Sequence, residues 1–532
     1  MESGKSKQSM NLGERIVYST HSFVKEFPAK WASFWQKCLR SCKKFFQSIG
    51  AFFVRFAQTF VEGDWATKIS FFILGFGFFF HGEKVSVVAK DGTLKNHYRV
   101  QYFQGLVYLL FQVAFNLVFF WWGLPYISRL SLQGLVNHSC SYNKTTMRNE
   151  CVGDNSFLIL LFSILSLVLL VWFVLVYFRS IREVRASEIL SKEGKHLTTA
   201  KEELASLLDG KFYKTILALP VLGIVIFTIV PIIFMICIAF TNYDYAHMPP
   251  SKFFEWVGWT NFATIFSGAS TNNYFGYAFV QIFWWTLLWA FFATITCYFG
   301  GLLLALLINS KKTVAPKVWR TIFVVTIAVP QFVSLMLIRY FFYDTGIVNT
   351  LLKSWGVVSW AQSIGWITTD YFPFFSDPHW IKVMVILVNM WVGIPYMMLI
   401  TTGILMNIPS DLYESARIDG AGPHRMFWQI TMPYILQVTG PYLISSFVGN
   451  INNFNVIYLL TSGYSSSNVM LASVNASESD LLVTWLYKIT TGNQIKYYMA
   501  SVIGILIFLV SAFFTLLTFS QTIKGKREER FQ

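Results

Sequence analysis

Residues 157–178 have the sequence FLILLFSILSLVLLVWFVLVYF, in which no side chain is charged. A helix of this length is roughly 33 Å long at 1.5 Å per residue, about the thickness of the hydrocarbon core of a bilayer. Its hydroxyl groups are limited to Ser163, Ser166 and Tyr177. The run therefore predicts a transmembrane helix.

The composition of the whole chain extends this pattern. Of 532 residues, 55% are apolar, 18% are aromatic and only 13% are charged, which excludes an ordinary soluble domain. The net charge of +15 belongs to a chain too apolar for a nucleic-acid binder, so no nucleic-acid partner is expected. The positive charges are instead expected to report orientation in a membrane.

Eight apolar runs are long enough to cross a bilayer as helices. They are 104–123, 157–178, 215–240, 276–308, 321–342, 381–406, 434–461 and 498–520. If both termini lie in the cytoplasm, 32 Lys and Arg lie inside and 7 lie outside. The positive-inside rule favours that orientation. The predicted fold is therefore an all-α, multi-pass cell-membrane protein with about eight transmembrane helices and cytoplasmic N- and C-termini.

A shorter apolar run, Ile69 to Phe80, is too short to span and predicts a re-entrant or interfacial segment. Before it, apolar side chains from Trp31 to Phe56 recur at helical spacing with basic residues between them. This pattern predicts an amphipathic helix that lies on membrane lipids, or alternatively one that packs on the spans.

Three ranges are predicted from these features. Residues 1–103 form a basic N-terminal region, 104–213 an accessory pair of spans with a cytoplasmic linker from Arg179 to Lys214, and 214–522 a six-span core. The role of residues 1–213 stays open.

The loop 407–433, between the sixth and seventh spans, has the features of two short helices. Ser410 is a candidate N-cap, and Gly420 can end the first helix in a left-handed conformation. Pro423 favours the start of a second short helix. Pro433 is expected to end that helix and to start the next span. The small residues Ala416 and Ala421 leave backbone accessible, so the loop predicts a compact knob that a second protein can grip.

This loop resembles the EAA loop of permease subunits of binding-protein-dependent ABC importers. The matching residues are Glu414, Ala416, Asp419, Gly420, Ala421, Phe427, Ile430 and Pro433, with Ser415 and Met432 as small departures. The resemblance implies that the loop docks into a separate ATP-hydrolysing subunit, with Glu414 and Gly420 at its turn and Met426, Phe427 and Ile430 in the contact.

Other segments are similar to the larger permease of the maltose/maltodextrin importers. They are Phe240–Tyr243, Val257–Phe262, Asn389–Tyr396 and Ser446–Phe454, and the similarity covers roughly 214–520. The resemblance implies a six-helix permease core with the EAA loop at 407–433. The large external domain of some members is replaced here by about 35 residues, which leaves open how an external binding protein docks.

The spans contain no carboxylates. Arg339 and Lys382 are their only charges, and both lie near predicted outer ends, where they can snorkel. Proton- or sodium-driven carriers usually need an ionisable site within the membrane. The pattern therefore argues against an ion-coupled carrier and favours a neutral cargo.

Polar neutral side chains form stripes on two spans. On the sixth, Asn389, Gly393 and Tyr396 share one face, and on the seventh Ser446, Asn450 and Asn453 share another with Gly449. Asn amides offer donors and acceptors that suit sugar hydroxyls, and Tyr396 or Trp391 can stack on a sugar ring. Such residues equally serve to hold membrane helices together. The family resemblance implies that all six stripe residues line a sugar site, which Gly449 leaves wider than in its relatives.

The cysteines indicate no metal site, and no cofactor is predicted. Cys140 and Cys151 share one predicted external loop, where a disulfide is as plausible as two free thiols. The sequence contains no phosphate loop of the type GxxxxGK[ST], so this chain is predicted to be a transport subunit rather than an enzyme, with ATP hydrolysed by its partners.

The resemblance implies an importer permease that moves a neutral oligosaccharide by alternating access. Its partners would be a second permease subunit, two ATP-binding subunits and an extracellular substrate-binding protein. Maltodextrins are the nearest substrates, galacto-oligosaccharides are an alternative, and a membrane-embedded glycosyltransferase is a competing function that would use acidic residues such as Asp411, Glu414 and Asp419.

Overall fold

A computed structural model describes residues 36, 39–41, 43–88, 94–132, 138–145, 148–248, 253–267, 274–310, 312–492 and 495–528. The helices are α1 (43–62), α2 (Trp65–Ile69), α3 (Tyr102–Val118), α4 (Leu124–Ser128), α5 (Ser156–Lys192), α6 (Ala200–Leu208), α7 (Phe212–Ile224), α8 (Val230–Ile238), α9 (Thr260–Phe266), α10 (Phe275–Ile308), α11 (Pro316–Ala328), α12 (Gln331–Phe341), α13 (Ile347–Ser354), α14 (Val357–Ser363), α15 (Pro378–Met406), α16 (Ser410–Ile418), α17 (Pro423–Met426), α18 (Met432–Ile451), α19 (Phe454–Thr461), α20 (Val469–Ala472), α21 (Leu482–Thr491) and α22 (Tyr497–Glu528). Two antiparallel hairpins pair β1 (Gly82–Val88) with β2 (Leu94–Val100) and β3 (His138–Asn143) with β4 (Arg148–Gly153).

Seven long apolar stretches in the described residues are suited to cross a membrane, or eight if one bent pair is counted as a span. The all-α fold with about eight spans is thereby confirmed. The bent pair is α11 and α12, which meet at 92° where the sequence predicted one continuous helix over 321–342. Pro330 explains the break, because it lacks an N–H and restricts the preceding Val329, which is extended with ψ 128°.

Within the part of the chain that the structure describes, three spans contain a π-helical turn that ends two residues before a proline. These turns are Phe119–Gly123, Val225–Ile229 and Phe427–Thr431, ahead of Pro125, Pro231 and Pro433. A π turn is wider than an α turn and relieves the clash between the proline ring and the carbonyl four residues before it. The expectation that Pro433 ends the second short helix is therefore wrong, since α17 continues through the π turn into α18.

The chain divides into two compact units. One contains 1–128 and 165–226, and the other contains 129–164 and 227–532. The three ranges 1–103, 104–213 and 214–522 remain predictions from the sequence.

In the first unit, α1 is partly packed and partly exposed. Phe52 and Phe56 contact Phe178, with ring centroids 5.0 and 4.7 Å apart, whereas Phe45 and Phe46 are exposed. The second half of the helix thus packs on α5 and the first half leaves its aromatic face open. The predicted helix residues Trp31, Phe34, Trp35, Cys38 and Cys42 lie outside the described residues.

The run from Ile69 to Phe80 is not a spanning helix, as expected. Beyond α2 it forms turns and a short 3-10 helix over Phe76–Phe79. Side chains of neighbouring helices satisfy its backbone, because Gln112 Oε1 accepts from Leu74 N–H at 2.8 Å and Tyr177 OH donates to Phe71 O at 2.9 Å.

The predicted linker after Arg179 is mostly helical. Helix α5 continues to Lys192, supported by the ion pairs Arg179 with Glu183 and Arg185 with Glu188, at 2.7 and 2.8 Å. Ion pairs between residues three or four apart stabilise a helix. This part of α5 was not predicted to be helical because its sequence lacks apolar periodicity.

The register of β3 and β4 places Cys140 directly opposite Cys151. Directly paired antiparallel positions have Cα atoms about 4.5–5.5 Å apart, within the range that a disulfide bridges. The register therefore favours the disulfide that the sequence left open.

We expect the purified protein to contain a Cys140–Cys151 disulfide. A maleimide that adds mass to free thiols should label the Cys140→Ser variant at one more cysteine than the wild-type chain, because breaking the bridge frees Cys151. Reduction should reverse the difference, because the reduced wild-type chain exposes both thiols whereas the variant exposes only Cys151. One label fewer in Cys140→Ser than in wild type would show that both thiols are free.

Candidate functional site

Helices α10 and α15 approach each other closely because glycines lie at their contact. A Cβ on Gly300 would meet Ile394 Cδ1 at 2.5 Å, and one on Gly301 would meet Met397 Cβ at 2.5 Å. Small residues allow this kind of close approach between membrane helices. The contact fixes the position of the polar stripe on α15.

A cavity of about 100 Å³ lies where α10, α15 and α18 meet. It is lined by Ala293, Thr294, Cys297, Tyr298, Asn389, Gly393, Tyr396, Met397, Tyr442, Leu443, Ser446 and Asn450. Five of the six predicted substrate-binding residues thus line one cavity, and the sixth, Asn453, does not.

The two asparagine amides of this cavity also connect helices. Asn389 Nδ2 donates to Cys297 Sγ at 3.4 Å, and Asn450 Nδ2 donates to Thr294 Oγ1 at 3.0 Å. Among the described residues, Asn389 Oδ1 has no hydrogen-bond partner. Both side chains therefore use a donor for helix packing, and Asn389 retains a free acceptor, so holding the helices and lining a polar cavity are compatible roles.

Tyr396 and Ser446 are more accessible than the buried Asn389. Tyr396 is 50% exposed, and its ring centroid lies 6.2 Å from that of Tyr442. Tyr442 was missed in the sequence, although it precedes Ser446 by four residues and Asn450 by eight on the same helix face. The α10 residues Thr294, Cys297 and Tyr298 were also missed, although their i, i+3 and i+4 spacing places them on one face of a mostly apolar helix.

Gly393 has a packing role. A Cβ there would lie 2.6 Å from Cys297 Sγ, so the missing side chain makes room for the sulfur atom. Gly449, by contrast, borders open space, since a Cβ on it would meet no atom of the described residues within 4 Å.

Asn453 lies at a helix break instead of on a continuous stripe. α18 ends at Ile451, and Asn453 caps α19 by accepting from Val456 N–H at 3.3 Å. Its Nδ2 donates to Asn450 Oδ1 at 3.4 Å. The structure thus connects Asn453 to the cavity through Asn450.

The loop 407–433 forms the predicted helix pair. Gly420 has φ 74°, the left-handed conformation expected from the sequence, and Ala421 N–H closes the turn on Ala416 O at 2.8 Å. The expected N-cap at Ser410 is wrong, because Ser410 is the first helical residue and Pro409 occupies the cap position without a side-chain hydrogen bond. The fixed φ of Pro409 already sets the chain direction there.

The surface of this knob combines polar and apolar groups. Glu414, Asp419 and Gly420 are exposed, and Ala416, Ala421, Met426, Phe427 and Ile430 are partly buried. Phe427 packs against the chain's own apolar cluster around Tyr298 and Met397. Ile418, which was not among the predicted contact residues, is 87% exposed at the end of α16. The sequence did offer a signal for it, because Ile418 directly precedes Asp419 and Gly420, where the helix ends.

The knob is the connection between the two cavity-bearing helices. α15 ends at Met406 and α18 begins at Met432, with α16 and α17 between them. Tyr413 OH and Thr431 Oγ1 are 2.8 Å apart and join α16 to the start of α18. A force on α16 is therefore applied to the ends of both helices.

The part of this chain that matches a known protein family contains the loop 407–433 and both polar stripes. Residues 298–527 match the family described as binding-protein-dependent transport system inner membrane component. The maltodextrin transport system permease protein MalC of Streptococcus pneumoniae is 30% identical over 426 residues, covering 80% of this chain and 92% of that protein. The chain belongs to this family.

This permease is also similar to two proteins of Bacillus subtilis. The maltodextrin transport system permease protein MdxF is 31% identical over 378 residues, 71% of this chain and 84% of that protein. The galactooligosaccharides transport system permease protein GanP is 31% identical over 438 residues, 82% of this chain and 96% of that protein.

One cluster of the described residues has the donor types of a metal site, namely Asp64, His81 and Glu188 in the first unit of the permease. Arg185 forms an ion pair with Glu188 at 2.8 Å, and Lys192 pairs with the same carboxylate. Burial alone raises the pKa of Asp64, but the hydrogen bond from Thr67 N–H and the contact with His81 outweigh it and hold that pKa below its usual value. The cluster is an ion-pair network that joins 64–81 to α5.

We expect Gly393→Ala to destabilise the α10–α15 contact by about 1–3 kcal/mol, because the added methyl group meets Cys297 Sγ. The double variant Gly393→Ala/Cys297→Ala should recover most of the loss. The thermal midpoint of the purified membrane protein measures both. Gly449→Ala is the matched control and should change the midpoint little. An unchanged midpoint in Gly393→Ala would contradict the packing role.

Proposed function

We propose that this chain is the transmembrane permease subunit of an ATP-driven importer that moves a neutral oligosaccharide of the maltodextrin type across the cell membrane. The observation that carries the proposal is the connection between the cavity and the knob. The helices that supply Asn389, Tyr396, Ser446 and Asn450 are the two that the loop 407–433 joins.

The cavity chemistry supports a neutral, hydroxyl-rich substrate. Its polar groups are amides, hydroxyls and phenols, and none of its lining residues is charged. Amide oxygens accept hydrogen bonds from sugar hydroxyls, and the half-exposed Tyr396 offers a ring face to a sugar. Asn389, Gly393, Tyr396, Ser446, Asn450 and, through Asn450, Asn453 form the proposed substrate site.

The proposed mechanism is alternating access. Two ATP-binding subunits close on ATP and displace α16, with Glu414, Ala416, Asp419, Gly420 and Ala421 at the knob and Met426, Phe427 and Ile430 behind it. The displacement acts on the end of α15 and the start of α18, α18 separates from α10 and α15, and the cavity between them opens to one side and then to the other. This chain supplies the path, and its partners hydrolyse ATP.

The proposed assembly also contains a second permease subunit and an extracellular substrate-binding protein. The excess of Lys and Arg in 1–64, 179–214 and the C-terminal tail supports cytoplasmic N- and C-termini. The exposed Phe45 and Phe46, beside Lys43 and Lys44, support contact of α1 with membrane lipids.

The named relatives support maltodextrins first and galacto-oligosaccharides second. Both classes consist of neutral hexose units, and the cavity amides do not distinguish their linkages. Reconstituted complexes should take up one class with ATP and keep doing so when an ionophore removes ion gradients. Uptake that follows the proton or sodium gradient at constant ATP would contradict the proposal.

We expect Gly420→Val to reduce co-purification of the ATP-binding subunits by severalfold. A β-branched residue at φ 74° is strained by about 1–3 kcal/mol, so the turn that presents α16 opens. Gly420→Asn is the matched control, because Asn tolerates this conformation, and it should retain most of the complex.

Equal yields of complex from wild type and from Gly420→Val would argue against docking at this turn. Ile418→Asp tests the same surface independently, since it places a charge at an exposed apolar position without altering the turn. We expect it to weaken the complex while leaving membrane insertion intact.

We expect Tyr396→Leu to raise the KM for sugar uptake about tenfold, because it removes a hydroxyl and an aromatic ring from the cavity. Trp391→Leu is the control: Trp391 is a 45% exposed aromatic on the same helix that does not line the cavity. Initial uptake rates at graded sugar concentrations provide both values. Equal KM changes in the two variants would place the sugar elsewhere.

A further inference from the structure

A second polar cavity, of about 330 Å³, lies where α12 and α19 end. It is lined by Arg339, Tyr343, Asp344, Phe375, Ser376 and residues 460–465, and it shares no lining residue with the cavity around Asn389. Its volume lies at the lower end of the range of ligand pockets, about 300–1,000 Å³.

Arg339 borders this cavity from the last turn of α12. Its Nη1 donates to Ser462 Oγ at 2.5 Å, and its Nη2 lies against Gly463, where a Cβ would come within 2.9 Å of it. Gly463 has φ 91°, so the close approach depends on glycine. Within the described residues, Ser462 is the single hydrogen-bond acceptor for the guanidinium, and no carboxylate lies within ion-pair distance.

Asp344 supplies a carboxylate to the same cavity. Both of its oxygens lie close to Ser376 Oγ, at 2.7 and 2.8 Å. A carboxylate has about four acceptor positions, so one hydroxyl leaves most of them available. The cavity therefore combines a donor-only cation, an acceptor-only anion and several serine hydroxyls without joining the two charges in an ion pair.

Aromatic rings add an apolar surface to these charges. Tyr343 is 48% exposed. Tyr464 OH donates to Glu478 Oε2 at 3.0 Å, and burial together with that carboxylate raises the pKa of Tyr464, so the phenol stays a donor to Glu478. What Tyr464 offers the cavity is its ring.

The pair of charges selects for a neutral ligand. An anion attracted by Arg339 is opposed by Asp344, and a cation attracted by Asp344 is opposed by Arg339. Neighbouring hydroxyls of a sugar suit both, because one can accept from the guanidinium while the other donates to the carboxylate. The half-exposed Tyr343 ring can then cover the apolar face of the sugar.

We propose that the cavity formed by Arg339, Tyr343, Asp344 and Ser462 is an outer subsite that binds one sugar unit before the oligosaccharide reaches the cavity around Asn389. This inference rests on the proposed transport of a neutral oligosaccharide and on the proposed orientation, which places the end of α12 on the outer side. Arg339 then has a ligand-binding role beyond the snorkelling expected from the sequence.

The test uses the complete importer with its binding protein, reconstituted in liposomes, and a panel of neutral maltodextrins and galacto-oligosaccharides. We expect Arg339→Gln and Asp344→Asn each to raise the KM about tenfold for the preferred sugar and to change the ranking of the panel, because a charged hydrogen bond to the sugar is lost. ATPase stimulation by the unliganded binding protein should match wild type.

Lys353→Gln is the matched control. Lys353 pairs with Asp370 at 2.8 Å on the exposed surface of α13, so this variant removes one positive charge without altering the cavity. It should leave the KM unchanged for every sugar. If Arg339→Gln assembles poorly, Arg339→Lys keeps the charge and loses the planar fork, and a raised KM is expected there too.

Two outcomes would overturn the subsite. One is a KM equal to wild type for every sugar in both cavity variants. The other is a uniform loss across the panel together with weaker stimulation by the unliganded binding protein, which would identify Arg339 as a docking contact. Failure of the wild-type complex to transport any neutral oligosaccharide would instead refute the proposed function.

Discussion

The close contact between α10 and α15 is the interaction on which the rest of the permease core depends. Gly300 and Gly301 admit Ile394 and Met397 at distances that no side chain on those positions would permit, and Gly393 in turn admits Cys297. In a lipid environment, helix association relies on such packing and on interhelical hydrogen bonds, because burial from lipid brings no hydrophobic gain. The same contact presents Asn389 to the third helix of the site.

α18 is joined to α10 by hydrogen bonds and packs on both helices through Met432 and Ile435, without a glycine at the contact. Trp289 Nε1 donates to the backbone oxygen of Asn450 at 3.1 Å, and Tyr298 OH lies 3.2 Å from Thr439 Oγ1. Hydrogen bonds between membrane helices contribute roughly 0.6–2 kcal/mol each, so they are easier to exchange than a close-packed interface. α18 is thus the element of this core best suited to move relative to α10 and α15.

The sequence predicted the parts of the structure that depend on local chemistry. Hydropathy located the spans, and the left-handed preference of glycine located the end of α16 at Gly420. The errors have specific physical causes. Pro330 breaks a span that its apolar neighbours predicted to be continuous, Pro433 is absorbed by a π turn, and Pro409 leaves Ser410 no capping role. Cavity residues on α10 were not identified, because Thr and Tyr side chains also occur on its other faces and only the neighbouring helices decide which face lines a polar cavity.

The two cavities differ in the charge they tolerate, and their surroundings give the reason. A charge buried at mid-span is expensive, so the cavity around Asn389 relies on amides and hydroxyls. Arg339 and Asp344 lie at helix ends, where water offsets part of that cost, so charged groups are tolerated there. The inner cavity, at about 100 Å³, is also smaller than the roughly 300 Å³ at which ligand pockets begin. Under the proposed function, a sugar fits the inner cavity only after α18 separates from α10 and α15, the step that the knob between α15 and α18 is proposed to drive.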